Sequence, residues 1–130
     1  MATLKVGMVG WRGMVGSVLM HRMREEQDFA LVEPAFFSTS NEAPREANGA
    51  PLLDAGDISH LKQMDVIISC QGGDYTTGVY APLRATGWNG FWIDAAKTLR
   101  MQDSAVIILD PVNKAAIDNA LAIGVKDFIG

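Results

Sequence analysis

Residues 6–16 read Val-Gly-Met-Val-Gly-Trp-Arg-Gly-Met-Val-Gly, an apolar run that breaks into Gly10, Gly13 and Gly16. Glycines between a strand and a helix offer a tight turn, close backbone approach and free N–H groups at the helix start, which together suit a pyrophosphate. The spacing is G-x-x-G-x-x-G and matches the general G-x-G-x-x-G fingerprint only in part. Three glycines at such a turn also suit packing alone. The next apolar run ends Phe36-Phe37-Ser38-Thr39-Ser40 and carries no acid. An NAD site uses an Asp or Glu there to accept from the ribose diol; hydroxyls can instead donate to a 2′-phosphate. Arg12, in the turn, offers a charge-assisted contact worth about 1.5–3 kcal/mol. The pattern leans to NADP over NAD, with a plain polar turn as the alternative.

Two later strand ends carry further chemistry. The run Val66–Ser69 delivers Cys70-Gln71-Gly72-Gly73-Asp74, where paired glycines and an amide suit contact with a ribose or phosphate. Cys70 reads as a structural thiol, since neither histidine has a visible reason to lie near it. The run 91–93 delivers Asp94-Ala95-Ala96-Lys97-Thr98-Leu99-Arg100. Arg100 is either an anion clamp for phosphate or carboxylate or an ordinary surface arginine. His21 reads as a helix-face residue and His60 as a loop residue. Met8, Met14, Met20 and Met23 read as core filler.

These positions need a scaffold. Apolar runs recur at 4–9, 32–37, 66–69, 91–93, 106–109 and 125–129, short and nearly all-apolar, as strands buried on both faces of a parallel sheet are. Helical spacing lies between them. One segment after Gly13 places Val15, Val18, Leu19, Arg22 and Met23 on one face. A second spans 75–85, with Pro82 as a kink or early stop. A third runs from Pro111 through Ile117 and Leu121 to a C-cap at Gly124. Residues 40–57, rich in Ala, Gly, Asn and Pro, read as a surface loop. The alternation predicts an α/β fold: a Rossmann-like, doubly wound, mostly parallel sheet with helices on both faces.

At 130 residues the chain has room for one domain, 1–130. Its 48% hydrophobic and 20% charged residues argue against disorder. No apolar run approaches the roughly 20 residues of a membrane span, and nothing at the start resembles a signal peptide. A net charge of −4 without a Lys/Arg cluster argues against nucleic acid. One cysteine excludes an internal disulfide and leaves too few ligands for a structural zinc site. The expectation is a cytoplasmic domain with no membrane, nucleic-acid or metal partner.

Residues 10–20, 36–40, 70–76, 92–96 and 109–113, in this order, closely resemble bacterial aspartate-β-semialdehyde dehydrogenase of the Gram-negative type, from Leu4 to Gly130. That family reduces β-aspartyl phosphate with NADPH, through a cysteine thioester, in lysine, threonine and methionine synthesis. The resemblance implies that Arg12, Gly13, Met14 and Val15, beside the turn's Gly10 as a further cofactor-binding candidate, hold the cofactor's phosphates and that Thr39 and Ser40 receive the 2′-phosphate. It also implies that Gln71 and Gly72 contact the cofactor, and that Arg100 binds phosphate or the acyl phosphate. Lys97 departs from it, standing where relatives carry a small hydroxyl residue.

In the family, a Gly-Asn-Cys-Thr motif with the nucleophilic cysteine follows soon after the position of Gly130. The catalytic histidine, the carboxylate-binding arginine and most of the dimer interface come later still. The expectation is therefore an NADP-binding domain that binds nucleotide without catalysing, from a homodimeric or homotetrameric enzyme. The alternatives are the nucleotide domain of another acyl-phosphate reductase, such as an N-acetylglutamyl-phosphate reductase relative, and a non-catalytic NADP-sensing module. A phosphoacceptor receiver domain is excluded, because it needs an acidic pair where this chain has Gly10-Trp11-Arg12.

Overall fold

The computed structural model describes residues 3–39, 46–47, 50–96, 105–107 and 114–129. Eight strands, β1 (Leu4–Val9), β2 (Val32–Ser38), β3 (Glu46–Ala47), β4 (Ala50–Asp54), β5 (Val66–Ser69), β6 (Phe91–Asp94), β7 (Ala105–Ile107) and β8 (Asp127–Ile129), form one sheet. Their order is β3-β4-β2-β1-β5-β6-β8-β7. Every pairing is parallel except β3 with β4. The helices are α1 (Met14–Glu25), α2 (Ile58–Leu61), α3 (Gly73–Ala85) and α4 (Lys114–Ala122), with a 3-10 turn at Asp28–Leu31. This is the expected Rossmann-like α/β fold.

The central strands are apolar on both faces because both are covered. Val9, Phe37, Leu61, Ile67, Leu83 and Trp92 form one core, on the side of α2 and α3. Val6, Met8, Met20, Met23 and Phe36 form the other, under α1. Phe36 and Phe37 are each 0% exposed, so adjacent residues of one strand each contribute about 1.5–3 kcal/mol of burial to opposite cores. Connections leave β1 toward β2 on one side and lead to β5 on the other. The carboxyl ends of β1 and β5 therefore flank the switch point where an open α/β sheet takes its ligand.

Several expectations need correction. The segment 40–57 is not wholly a loop: it contains β3 and β4, and Leu52 and Leu53 of β4 pair with Phe36 and Phe37. A five-residue strand with a proline at its second position, set in a stretch rich in Ala, Gly and Asn, carries a weak sequence signal, and it forms because β2 offers it an edge. The buried side of α1 is Gly16, Met20 and Met23, whereas Val15 and Val18 are exposed. Met14 is 88% exposed and is not core filler; it sits in the first turn, beyond the end of the sheet. Pro82 does not stop α3, which continues to Ala85. His60 lies in α2 rather than a loop, beside Asp57.

Candidate functional site

The carboxyl end of β1 opens into the glycine turn. Gly10 has φ +74°, and a Cβ there would lie 2.5 Å from the backbone N of Gln71. The turn after β1 thus abuts the turn after β5, and only glycine fits both the dihedral and the gap. Gly13 N–H closes the turn on Gly10 O at 3.2 Å. A Cβ at Gly16 would meet Gly10 O at 2.0 Å, so α1 packs directly on the turn. Gly13 differs: a Cβ there would find only Gly10 O, at 3.6 Å. Gly10 and Gly16 serve the protein's own packing, while the space over Gly13 is open to a ligand.

Gly13 is the N-cap of α1 and makes no side-chain cap bond, and the first turn holds no acid. The leading N–H groups of such a helix carry partial positive charge and want acceptors. Met14 and Val15 supply two of them. The start of α3 is less suited to an anion, since Asp74 lies in its first turn. Gly72, at φ +111°, is its N-cap. Gln71 is exposed beside it.

At the end of β2, Arg12 Nη2 donates to Ser38 Oγ at 2.8 Å. Its guanidinium carbon lies 5.2 Å from the centre of the Trp11 ring, and Trp11 Nε1–H donates to Phe37 O at 3.2 Å. The exposed Thr39 follows. An acid does stand opposite Ser38, Asp54 on β4, but its Oδ1 accepts from Gly56 N–H at 2.8 Å. The end of β2 itself presents one guanidinium and hydroxyls, with the Asp54 carboxylate on the neighbouring strand turned to its own loop.

Beyond β5, the Cys70 thiol is half-buried. Its pKa is pushed up by burial first and by the Asp94 charge second. Neither histidine hydrogen-bonds to it: His21 pairs with Glu25, and His60 with Asp57. Asp94, at the end of β6, is 0% exposed. Its Oδ2 accepts from Thr76 Oγ1 at 2.5 Å and Trp92 Nε1 at 3.0 Å, and its Oδ1 from Ala96 N–H at 2.8 Å. This carboxylate ties β6, α3 and the departing loop together. Among the described residues, no group of three His, Cys, Asp or Glu side chains is placed to hold a metal ion. No helix among them is long and apolar enough to cross a membrane.

The structure thus gathers Gly10, Arg12, Gly13, Met14, Val15, Thr39, Gln71 and Gly72 at one edge of the sheet. Ser40, Lys97 and Arg100 lie outside the described residues. Sequence reasoning missed Trp11 and the Thr76–Asp94 pair. Trp11 beside an arginine in a glycine turn was the available signal; nothing local marks Thr76, whose partner is 18 positions away.

The chain matches the family described as semialdehyde dehydrogenase, NAD binding domain, over residues 5–120. It belongs to that family, whose domain binds a nicotinamide dinucleotide. Among solved structures it is similar to aspartate semialdehyde dehydrogenase from Francisella tularensis, at 51% identity and TM-score 0.93, over 98% of this chain and 36% of that one. It also superposes on aspartate semialdehyde dehydrogenase II from Vibrio cholerae, in complex with ASA, at 18% identity and TM-score 0.73, over 99% of this chain and 42% of that one. The enzyme from Candida albicans, solved with NADP, gives 14% identity and TM-score 0.60, over 98% of this chain and 42% of that one. The last two share the fold. The chain spans well under half the length of each, and the resemblance read from its motifs agrees with the first.

Proposed function

We propose that this chain is the NADP-binding part of an aspartate-semialdehyde dehydrogenase, which reduces β-aspartyl phosphate to aspartate semialdehyde and phosphate. The observation that carries the preference for NADP is Arg12 held on Ser38 at the end of β2, a strand whose own last residues include no acid. In this reading Arg12, Thr39 and Ser40 receive the 2′-phosphate. The open space over Gly13 and the N–H groups of Met14 and Val15 take the pyrophosphate, which fits a turn that has neither capping side chain nor acid. Gly10 shapes the turn, while Gln71 and Gly72 border the cofactor from the β5 side. Arg100 binds the phosphate of the acyl phosphate, or inorganic phosphate in reverse.

When bound, NADPH supplies the hydride that converts the acyl group to an aldehyde. The chain's own residues bind and orient. Cys70 is a poor nucleophile, because its raised pKa leaves little thiolate and neither histidine is placed to take its proton. The 130 residues alone therefore bind nucleotide without turnover; the thiolate and its base belong to the rest of a cytoplasmic homodimer or homotetramer.

Calorimetric binding of NADP and NAD at one fixed salt concentration tests this. A preference for NADP of about tenfold or more, the worth of one charge-assisted contact, is expected. Equal affinities would remove Arg12, Thr39 and Ser40 from the 2′-phosphate. Phosphate-dependent reduction of NADP by aspartate semialdehyde, catalysed by the 130 residues, would overturn the inactivity.

A further inference from the structure

Arginine is long and flexible, and Arg12 is exposed, so what holds it at the end of β2 decides whether it meets a ligand there or wanders. Two contacts hold it. Its guanidinium lies 5.2 Å from the Trp11 ring centre and donates to Ser38 Oγ at 2.8 Å. The indole is itself fixed to the same strand. Its Nε1–H donates to Phe37 O at 3.2 Å, and it meets the fully buried Phe36 edge-on, with centroids 5.4 Å apart at 68°. Its flank is not filled, since Trp11, Arg12, Ser17, Met20 and Arg24 line a cavity of about 250 Å³. The ring, packed on one side against the core under α1, is oriented by a hydrogen bond and an aromatic contact and is not fully enclosed.

We infer that Trp11 is a positioning residue for cofactor choice: it anchors to β2 and holds the Arg12 guanidinium where a 2′-phosphate would lie. The indole face restricts the arginine, and Ser38 takes one N–H from Arg12 Nη2. No other hydrogen bond binds the guanidinium among the described residues, so further donors remain for a phosphate, which Arg grips as a fork. The role is indirect and rests on the proposed Arg12–phosphate contact. It predicts that Trp11 changes the affinity ratio between two nucleotides differing only in that phosphate, without changing affinity for the one that lacks it.

The test is a double-mutant cycle on the 130-residue chain: Trp11→Phe, Arg12→Gln and the double variant, with NADP and NAD titrated calorimetrically at one salt concentration. Phenylalanine keeps an aromatic face but loses the N–H anchor. Trp11→Phe should weaken NADP about three- to tenfold with NAD within about twofold of the parent, and should add nothing once Arg12 is Gln. An unchanged NADP/NAD ratio in Trp11→Phe overturns the inference, as does an equal loss of both nucleotides. Losses that multiply in the double variant would show that Trp11 acts independently of Arg12, and overturn it too. If Arg12→Gln leaves the ratio unchanged, the phosphate reading itself fails and the inference falls with it. Should Trp11→Phe lose its cooperative unfolding transition, Trp11→Tyr takes its place in the same cycle.

Discussion

The sheet has an arginine resting on a tryptophan at each end, and the two pairs are built to opposite purposes. At the carboxyl edge, Arg12 lies on Trp11 and, among the described residues, spends one donor, on Ser38 Oγ. At the amino edge, Arg84 lies 4.6 Å from the centre of the Trp88 ring and is used up. Its Nη1 donates to Trp88 O and Gly90 O at 3.2 and 2.8 Å, and its Nη2 to Asp127 Oδ1 at 2.7 Å. Tyr80 Oη–H closes the other oxygen of Asp127. One cluster joins α3, β6 and β8 and leaves no charge unanswered; the other keeps a cation beside uncapped helix N–H groups. The residue pair alone does not tell the proposed binding site from a structural clasp; the proposal rests on the donors left over among the described residues.

The glycine turn gives the largest effects. Gly16→Ala should unfold the domain, costing on the order of 4 kcal/mol or more, since its Cβ would collide with backbone at Gly10 that cannot swing aside. Gly13→Ala should cost only about 1 kcal/mol, because the site is open and the loss is that of a favourable glycine N-cap alone. Its NADP affinity should nonetheless fall by about tenfold or more, as a methyl group enters the space left for phosphate. Urea unfolding and calorimetry on both variants separate the roles. A folded Gly16→Ala, or a Gly13→Ala that binds normally, breaks the distinction between packing and cradling glycines.

Next comes the contrast between the arginines. Arg84→Met should cost about 3–5 kcal/mol, for it leaves the nearly buried Asp127 carboxylate without its cation. Adding Asp127→Asn should restore part of that loss. Arg12→Met should change stability by about 0.5 kcal/mol or less, as an exposed side chain with one hydrogen bond. Equal losses from the two substitutions, measured by denaturant unfolding, would show that the leftover donors of Arg12 do not distinguish it.

The legible parts of the molecule were those where one local segment carries the whole cause. Strands β1, β2, β5 and β6 carry apolar residues on both faces and so read as largely apolar runs. The glycine turn is legible because strand, glycines and helix are contiguous. Strand β4 was not, since its reason for being a strand is Phe36 and Phe37 alongside it. The buried side of α1 was misread because Gly16 has no hydrophobicity to signal its burial; contact with the turn selects it. The clasp at Arg84 and the hold of Trp11 on Phe37 span 43 and 26 positions, beyond the reach of any spacing rule.

The smallest effect concerns Cys70, which borders the binding edge yet has the environment of an interior group. Burial first, and the Asp94 charge second, raise its pKa above the ordinary thiol value. At a given pH a raised pKa means less thiolate, so alkylation by iodoacetamide at pH 8 should be slower than for an unhindered thiol. Its rate should go on rising with pH where a free thiol has levelled off. The same shift means that the folded state holds the thiol proton more tightly than the unfolded chain does. That contribution to stability is complete below the unfolded thiol's pKa and is lost as pH climbs through the folded value. Asp94→Asn removes the charge and, provided the variant keeps its cooperative unfolding transition, leaves the burial, so it should accelerate alkylation only modestly. A much larger acceleration would make charge rather than desolvation the dominant cause. Rapid labelling of the parent protein near neutral pH would give Cys70 the open, reactive character that the geometry assigns to Arg12.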